Sequence, residues 1–136
     1  MHRDLKPDNI LLDDFLYPKI CDFGLSKNIN DTNYANKICK VWKQTKNSDF
    51  KGTPIYCSPK IFEKHTYSKD SDVYAFGLIV YEIITNDIII ENCNFYNLCT
   101  KIINGYRPEF KFQIPYCYKS LIEKYWAQDP VKRPSF

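Results

Sequence analysis

The chain has 136 residues, of which 44% are hydrophobic, 16% aromatic and 26% charged. That length and apolar fraction suit one globular domain with a sizeable core and exclude a disordered tail. The net charge of +3 is too small to make nucleic acid the main partner, and four scattered glycines exclude a GxGxxG or Walker phosphate loop.

Residues 10–12 (Ile-Leu-Leu) and 16–21 (Leu-Tyr-Pro-Lys-Ile-Cys) are short apolar runs separated by Asp13 and Asp14. This pattern predicts a small β-hairpin. Residues 27–51 are polar, rich in lysine and asparagine, and without periodicity, which predicts a long loop. Residues 71–85 carry Val73, Phe76, Leu78, Ile79, Val80, Ile83 and Ile84 nearly all round, so a buried central helix is expected, capped by Ser71 or Asp70. Phe95, Leu98, Ile102 and Ile103 predict an amphipathic helix over 94–104 that stops at Asn104-Gly105. Leu121, Ile122, Tyr125 and Trp126 predict another over 116–127. The tyrosines, Tyr81 and Tyr125 among them, fall mostly at helical core spacing and read as packing. The fold class is therefore mainly α with a short β-hairpin, without internal repeats or linkers.

Six cysteines form no CxxC pair, and only His2 and His65 could assist them, so no zinc site is expected. His2 reads as a structural core histidine and His65 as an exposed one. A charged motif follows Met1 directly, so no leader is expected, and reduced thiols in a cytoplasmic protein are the reading. The longest apolar stretch, 73–81, falls far short of the ~20 residues of a membrane span.

The chemistry is concentrated at the front. The chain opens His2-Arg3-Asp4-Leu5-Lys6-Pro7-Asp8-Asn9, and Asp22-Phe23-Gly24 follows at the far end of the predicted hairpin. Two carboxylates, an amide and a lysine thus stand at the two ends of one tight hairpin. Asp and Asn are hard oxygen ligands of the kind Mg²⁺ takes. A second Asp can orient a hydroxyl, and a lysine can neutralise a transferring phosphoryl group.

HRDLKPDN resembles the catalytic loop of eukaryotic protein kinases, and DFG resembles their metal-binding motif. Residues 52–59 (GTPIYCSP) resemble the substrate-facing loop leading into their Ala-Pro-Glu motif. SDVYAFG at 71–77 resembles the start of the central helix of the large lobe, and DPVKRP at 129–134 its Arg-Pro motif. These motifs occur in family order across the whole chain. The resemblance implies a partial kinase domain over 1–136, with an activation segment at 22–60. It implies a large lobe without the small lobe, glycine-rich loop and ATP-anchoring lysine that would stand upstream of His2. A helix that normally packs on the central helix would be missing too, leaving a flank prone to aggregation.

The resemblance also assigns roles. Asp4 would be the catalytic base and Lys6 would contact the γ-phosphate. Asn9, counted with the catalytic residues, and Asp22 would hold Mg²⁺. Leu11 would lie under the adenine of ATP, with Asp22 and Lys6 also on the nucleotide. Asp72 would brace the catalytic-loop backbone. Arg3 would hold a phosphorylated residue of the activation loop, Ser26, Thr32, Tyr34, Thr45 and Ser48 being candidates, and Thr53 belongs with the regulatory positions. Lys6 and Thr53 follow the serine/threonine pattern, whereas SDVYAFG and AQDPVKRPSF resemble the tyrosine-kinase-like group. Protein substrates, ATP and Mg²⁺ are the implied partners, and no nucleic acid or membrane is.

One departure stands out. Ser58-Pro59-Lys60 replaces Ala-Pro-Glu, so Lys60 would face Arg133, a like charge. Either Lys60 swings outward and Glu63 takes the arginine, or the corner is loose, and Lys60→Glu should raise the melting temperature. The parent reaction would be transfer of the γ-phosphoryl of ATP to Ser/Thr hydroxyls of proteins, with negligible turnover by this chain alone. The alternatives are a non-catalytic, pseudokinase-like binding module and, with only mild basicity in its favour, a nucleic-acid-binding helical domain. Cys21, before Asp22, reads as a small buried residue ending a strand, although it would face the nucleotide.

Overall fold

The computed structural model describes residues 1–27, 53–87, 89 and 93–135. The loop expected at 27–51, beyond Lys27, lies outside them, as do Thr32, Tyr34, Thr45 and Ser48. The described residues are mostly helical, with one two-stranded antiparallel sheet.

Strand β1 (Ile10–Leu12) pairs with β2 (Pro18–Ile20) in the register Ile10↔Ile20, Leu11↔Lys19 and Leu12↔Pro18. The second strand starts two residues later than its apolar run because Leu16 and Tyr17 belong to the turn. Leu16 takes a left-handed φ of 63°. Asp13 builds that turn: its Oδ1 accepts the Phe15 N–H at 3.0 Å and the Tyr17 N–H at 2.9 Å, and Lys19 Nζ lies 3.3 Å from its other oxygen. Ile10 packs on the core, whereas Leu11, Leu12 and Ile20 are exposed.

Helix α1 (Pro59–Lys64) was not expected from periodicity, because six residues are too few to show one. Pro59 sits at its first turn, where a missing N–H costs nothing. It closes at His65, in the left-handed region at φ 52°. His65 is half-buried there, not exposed as expected.

Helix α2 (Lys69–Thr85) is the central element. Its cap is Ser68, not Ser71 or Asp70. The helix begins one half-turn earlier than the apolar pattern, since Asp70 and Asp72 suit the positive end of the helix dipole. Ser71 instead reaches back from the first turn, its Oγ accepting the Ser68 N–H at 3.3 Å. Val73, Tyr74, Ala75, Leu78, Ile79 and Tyr81 are buried along it, as a helix apolar on most sides requires.

Helix α3 (Phe95–Ile103) is capped by Asn94, whose Oδ1 accepts the Asn97 N–H at 2.9 Å. It stops at Gly105, φ 90°, a conformation only glycine takes without strain. Helix α4 (Tyr116–Tyr125) ends two residues before its pattern does, because Trp126 turns off the helix into the core.

Two buried clusters face α2 on different sides. Tyr74, Leu78 and Tyr81 pack with Ile122 and Trp126, and Ala75 and Ile79 pack with Leu5. The helices α2 and α4 meet closely at Gly77, where an added Cβ would stand 2.7 Å from Tyr125 Cβ. The core expectation fails at one position of α4: Leu121 is exposed. Packing accounts for Tyr74 and Tyr81 but not for the exposed Tyr17, Tyr96, Tyr116 and Tyr118.

Candidate functional site

The segment 1–9 has one short turn of its own, and contacts with other elements fix it. Asp72, in the first turn of α2, accepts the His2 N–H on Oδ2 at 2.8 Å and the Arg3 N–H on Oδ1 at 2.9 Å. One carboxylate thus satisfies two successive backbone donors, a charge-assisted arrangement worth more than neutral bonds. Arg3 itself takes φ 75°, uncommon for a residue with a Cβ. His2 is buried, as expected. Its Nε2 meets the Cys21 carbonyl at 2.9 Å, and its ring stacks edge-on to Phe23 at 5.1 Å.

The turn Pro7–Asn9 then brings the chain back on itself. Asn9 is buried, and its Nδ2 donates to the Asp4 carbonyl at 2.7 Å and to Asp4 Oδ2 at 3.4 Å. The amide nitrogen is committed to Asp4, which leaves Oδ1 as the acceptor end. The hairpin carries the pairing one step further: the Cys21 N–H donates to the Asn9 carbonyl at 2.9 Å. Asp22 follows directly, exposed, in the left-handed region at φ 58°, with Oδ1 accepting the Gly24 N–H at 3.3 Å. Asp4, Asn9 and Asp22 are therefore gathered at one end of the hairpin. Cys21 is half-buried between them, not fully buried as expected.

Asn9 Oδ1 and the Asp22 carboxylate are hard oxygen donors at adjoining backbone positions, a donor pair that fits Mg²⁺. Among the described residues, no three His, Cys, Asp or Glu side chains gather as a metal site. Two protein oxygens match the small number Mg²⁺ usually takes from protein when phosphates and water complete its shell.

The remaining predicted residues are placed as follows. Lys6 Nζ lies 3.7 Å from Asp8 Oδ2. Leu11 is exposed on β1, on the face opposite the core-packed Ile10. The Arg3 guanidinium lies over the Tyr67 ring at 4.7 Å. Arg3, Asp4 and Thr53 line one cavity of about 10 Å³, room for a single water, together with Tyr56, Cys57 and Asp72. The buried Cys57 thiol is pushed up by burial and by the nearby Asp4 charge.

Arg133 corrects the expectation about Lys60. It is buried, and its three nitrogens donate to carbonyls: Nε to Ala127 at 2.8 Å, Nη1 to Asp70 at 2.9 Å and Nη2 to Gln128 at 3.2 Å. Its guanidinium also lies 5.1 Å from the Tyr74 ring centroid, with that of Arg107 at 4.9 Å. Among the described residues neither Glu63 nor any other carboxylate is ion-paired with Arg133. The corner is not loose, because backbone dipoles replace the anion.

One of the polar contacts that sequence reasoning did not foresee stands beside the Asp4 cavity. The Tyr56 hydroxyl donates to the Glu82 carboxylate, 2.8 Å from Oε2 and 3.0 Å from Oε1. The two residues are 26 apart in the chain, so no local pattern could have flagged them. Burial, then the Glu82 charge, pushes the Tyr56 phenol above its usual range, so it stays a proton donor.

No helix among the described residues is long and apolar enough to cross a membrane. Several curated relatives align with nearly the whole chain. A Dictyostelium discoideum protein named "Probable serine/threonine-protein kinase" is 36% identical over 137 residues, covering 100% of this chain and 14% of its own length. Two others from the same organism are "Dual specificity protein kinase pyk3", 37% identical over 137 residues, and "Dual specificity protein kinase shkA", 34% identical over 140. Both alignments cover 100% of this chain, which spans only 9% and 25% of those proteins. The protein kinase domain family matches residues 1–136. With that match over its full length, and with the gathered Asp4, Asn9 and Asp22, the chain belongs to the protein kinase domain family.

Proposed function

We propose that this chain is the large lobe of a protein kinase of the tyrosine-kinase-like group with Ser/Thr specificity, and that residues 22–60 are its activation segment. The observation that carries the reading is the Asn9 amide bound to Asp4 while the Asn9 carbonyl holds the strand that delivers Asp22. The Asp4 carboxylate accepts the proton of a protein Ser/Thr hydroxyl as its oxygen bonds to the γ-phosphorus and the bond to ADP breaks. Lys6 offers positive charge to the transferring group. Asn9 and Asp22 hold Mg²⁺, which when bound neutralises charge on the ATP phosphates. Leu11 offers apolar surface to the adenine. Arg3 receives a phosphorylated activation-segment residue, and Thr53 sits beside Asp4 on the substrate side.

Serine/threonine and dual-specificity names among the relatives support the substrate class. The exposed Leu11, Leu12 and Ile20 of the hairpin, and Ile83 and Leu121 on the helices, fit surfaces that a small lobe and a further helix would cover. Without the small lobe, positioning of ATP is incomplete, so this chain alone turns over negligibly. The reading as a non-catalytic module loses its motive at Lys60, since Arg133 is satisfied by carbonyls.

The test assays the full-length protein that carries this chain for phosphate transfer from Mg-ATP to a mixed Ser/Thr/Tyr peptide set. Transfer to Ser/Thr that drops by about 10²-fold or more in Asp4→Asn supports the reading. Equal activity of wild type and variant refutes it.

A further inference from the structure

Two features of the described residues stand outside the site. The first is the hairpin tip, at the end of the hairpin away from Asp4, Asn9 and Asp22. Phe15, Leu16 and Tyr17 are 82%, 73% and 65% exposed there. Three consecutive exposed apolar side chains cost solubility unless something covers them. The tip is also held in shape, because Asp13 Oδ1 accepts the Phe15 and Tyr17 N–H groups. Asp14, next to Phe15, is exposed and has no ion-pair partner among the described residues. The second feature is an open cleft of about 440 Å³ between α1 and residues 128–131. It has the size of a small-ligand pocket, so it takes side chains and not a folded element. Pro59 and the 90%-exposed Val131 give it apolar walls. Lys60 and Lys64, one helical turn apart on α1, also line it, and among the described residues neither is ion-paired. Of the two carboxylates there, Asp70 balances the buried Arg133, whose Nη1 donates to its carbonyl at 2.9 Å. Lys60 and Lys64 therefore outnumber Glu63.

The cleft is apolar with a surplus of positive charge, and the tip is apolar with an unpaired carboxylate. Both stay exposed in one chain, so neither fills the other within it. We propose that residues 14–17 of one copy of this chain seat in the cleft of a second copy, with Asp14 facing Lys60 and Lys64 and Phe15 lying against Pro59 and Val131. The chain carries both halves of the contact, which makes a second copy the occupant. The tip is preset by Asp13 and has little freedom to lose on binding, which favours the contact. Its area is small against the roughly 1,000 Å² of a stable interface, so association is weak and depends on concentration. It holds whether or not the chain transfers phosphate.

The experiment is sedimentation velocity on the full-length protein that carries this chain, over roughly two decades of concentration up to about 100 μM. Wild type should sediment faster as concentration rises. Phe15→Ser in the tip and Val131→Asp in the cleft should each weaken association by about tenfold or more. Both positions are exposed, so Tm should stay within about 2 °C of wild type. An equal mixture of the two variants should associate more strongly than either alone, because it pairs an intact tip with an intact cleft. Asp14→Lys should weaken association as well, and adding Lys60→Glu should restore part of it. A wild type that stays monomeric across the range overturns the proposal. So does association that neither Phe15→Ser nor Val131→Asp weakens, since the contact then lies on another surface. A mixture no stronger than its parts also overturns it, since tip and cleft then do not meet.

Discussion

Gly77→Ala separates helix propensity from packing most sharply. In an exposed helix interior the change would stabilise by up to about 1 kcal/mol, because glycine has more backbone entropy to lose. At this position the new methyl would stand 2.7 Å from Tyr125 Cβ, 3.1 Å from Trp126 N and 3.3 Å from the Tyr125 carbonyl carbon. Carbon atoms prefer about 3.5–4.0 Å, so the shortest contact is roughly 0.8 Å too close. None of the three atoms is the end of a flexible side chain. Helix α4 must shift as a body, loosening Ile122 and Trp126 against Tyr74, Leu78 and Tyr81. Overpacking of this kind costs about 1–3 kcal/mol. A contact of 2.7 Å puts the cost in the upper part of that range, about 2–3 kcal/mol, so against a propensity gain of up to about 1 kcal/mol the net is a loss of about 1–2 kcal/mol, or roughly 3–8 °C in Tm for a chain of this size. Urea unfolding of the chain should show a lower midpoint with an unchanged slope. An equal or higher midpoint would mean that α2 and α4 do not meet at Gly77, and the reasoning about the core would fall.

Other expectations follow from single contacts. Asp72→Ala leaves the His2 and Arg3 N–H groups without their acceptor and should destabilise by about 2–4 kcal/mol in urea unfolding; a change under about 0.5 kcal/mol would mean those donors find water at no cost. Lys60→Glu should shift Tm by no more than about 2 °C, since Arg133 already has three carbonyl partners; a rise well beyond that would show an unmet need for an anion. The Asp13 carboxyl is held below its ordinary value of 3.8, chiefly by the Tyr17 N–H, then Phe15 and Lys19. Its contribution to the hairpin turn is therefore present above that value and lost as pH falls through the lower folded value. The Phe15 and Tyr17 amides should lose exchange protection only in that acid range, and loss already near pH 6 would contradict the assignment. With its thiol buried and pushed up, Cys57 should resist alkylation at pH 8 while the exposed Cys117 reacts; equal labelling would refute its burial.

The legibility of this chain was uneven for physical reasons. The hairpin, α2 and α3 could be read because their signals are local: Asp13-Asp14 between apolar runs, an unbroken apolar stretch, Asn94 and Asn104-Gly105 at the ends of a helical repeat. Helix α1 was too short to show a period. The exposed Leu121 reads as core from the sequence, because periodicity says that a face is apolar and not whether anything covers it. At the site, the residue types of Asp4, Asn9 and Asp22, and their resemblance to a kinase catalytic loop, stood plainly in the order of the chain.

The sequence by itself determined the family, the order of the motifs and the residue types able to do phosphoryl chemistry, since these depend on identity and spacing. Tertiary structure decided which groups satisfy one another. Charge counting set Lys60 against Arg133, but three carbonyls from residues 70, 127 and 128 take the guanidinium. No spacing joined Tyr56 to Glu82; the family resemblance set Asp72 behind the catalytic-loop backbone, but only the fold fixed that it takes the His2 and Arg3 N–H groups. A buried donor or acceptor must find a partner wherever the fold brings one, and that partner's place in the chain is set by packing.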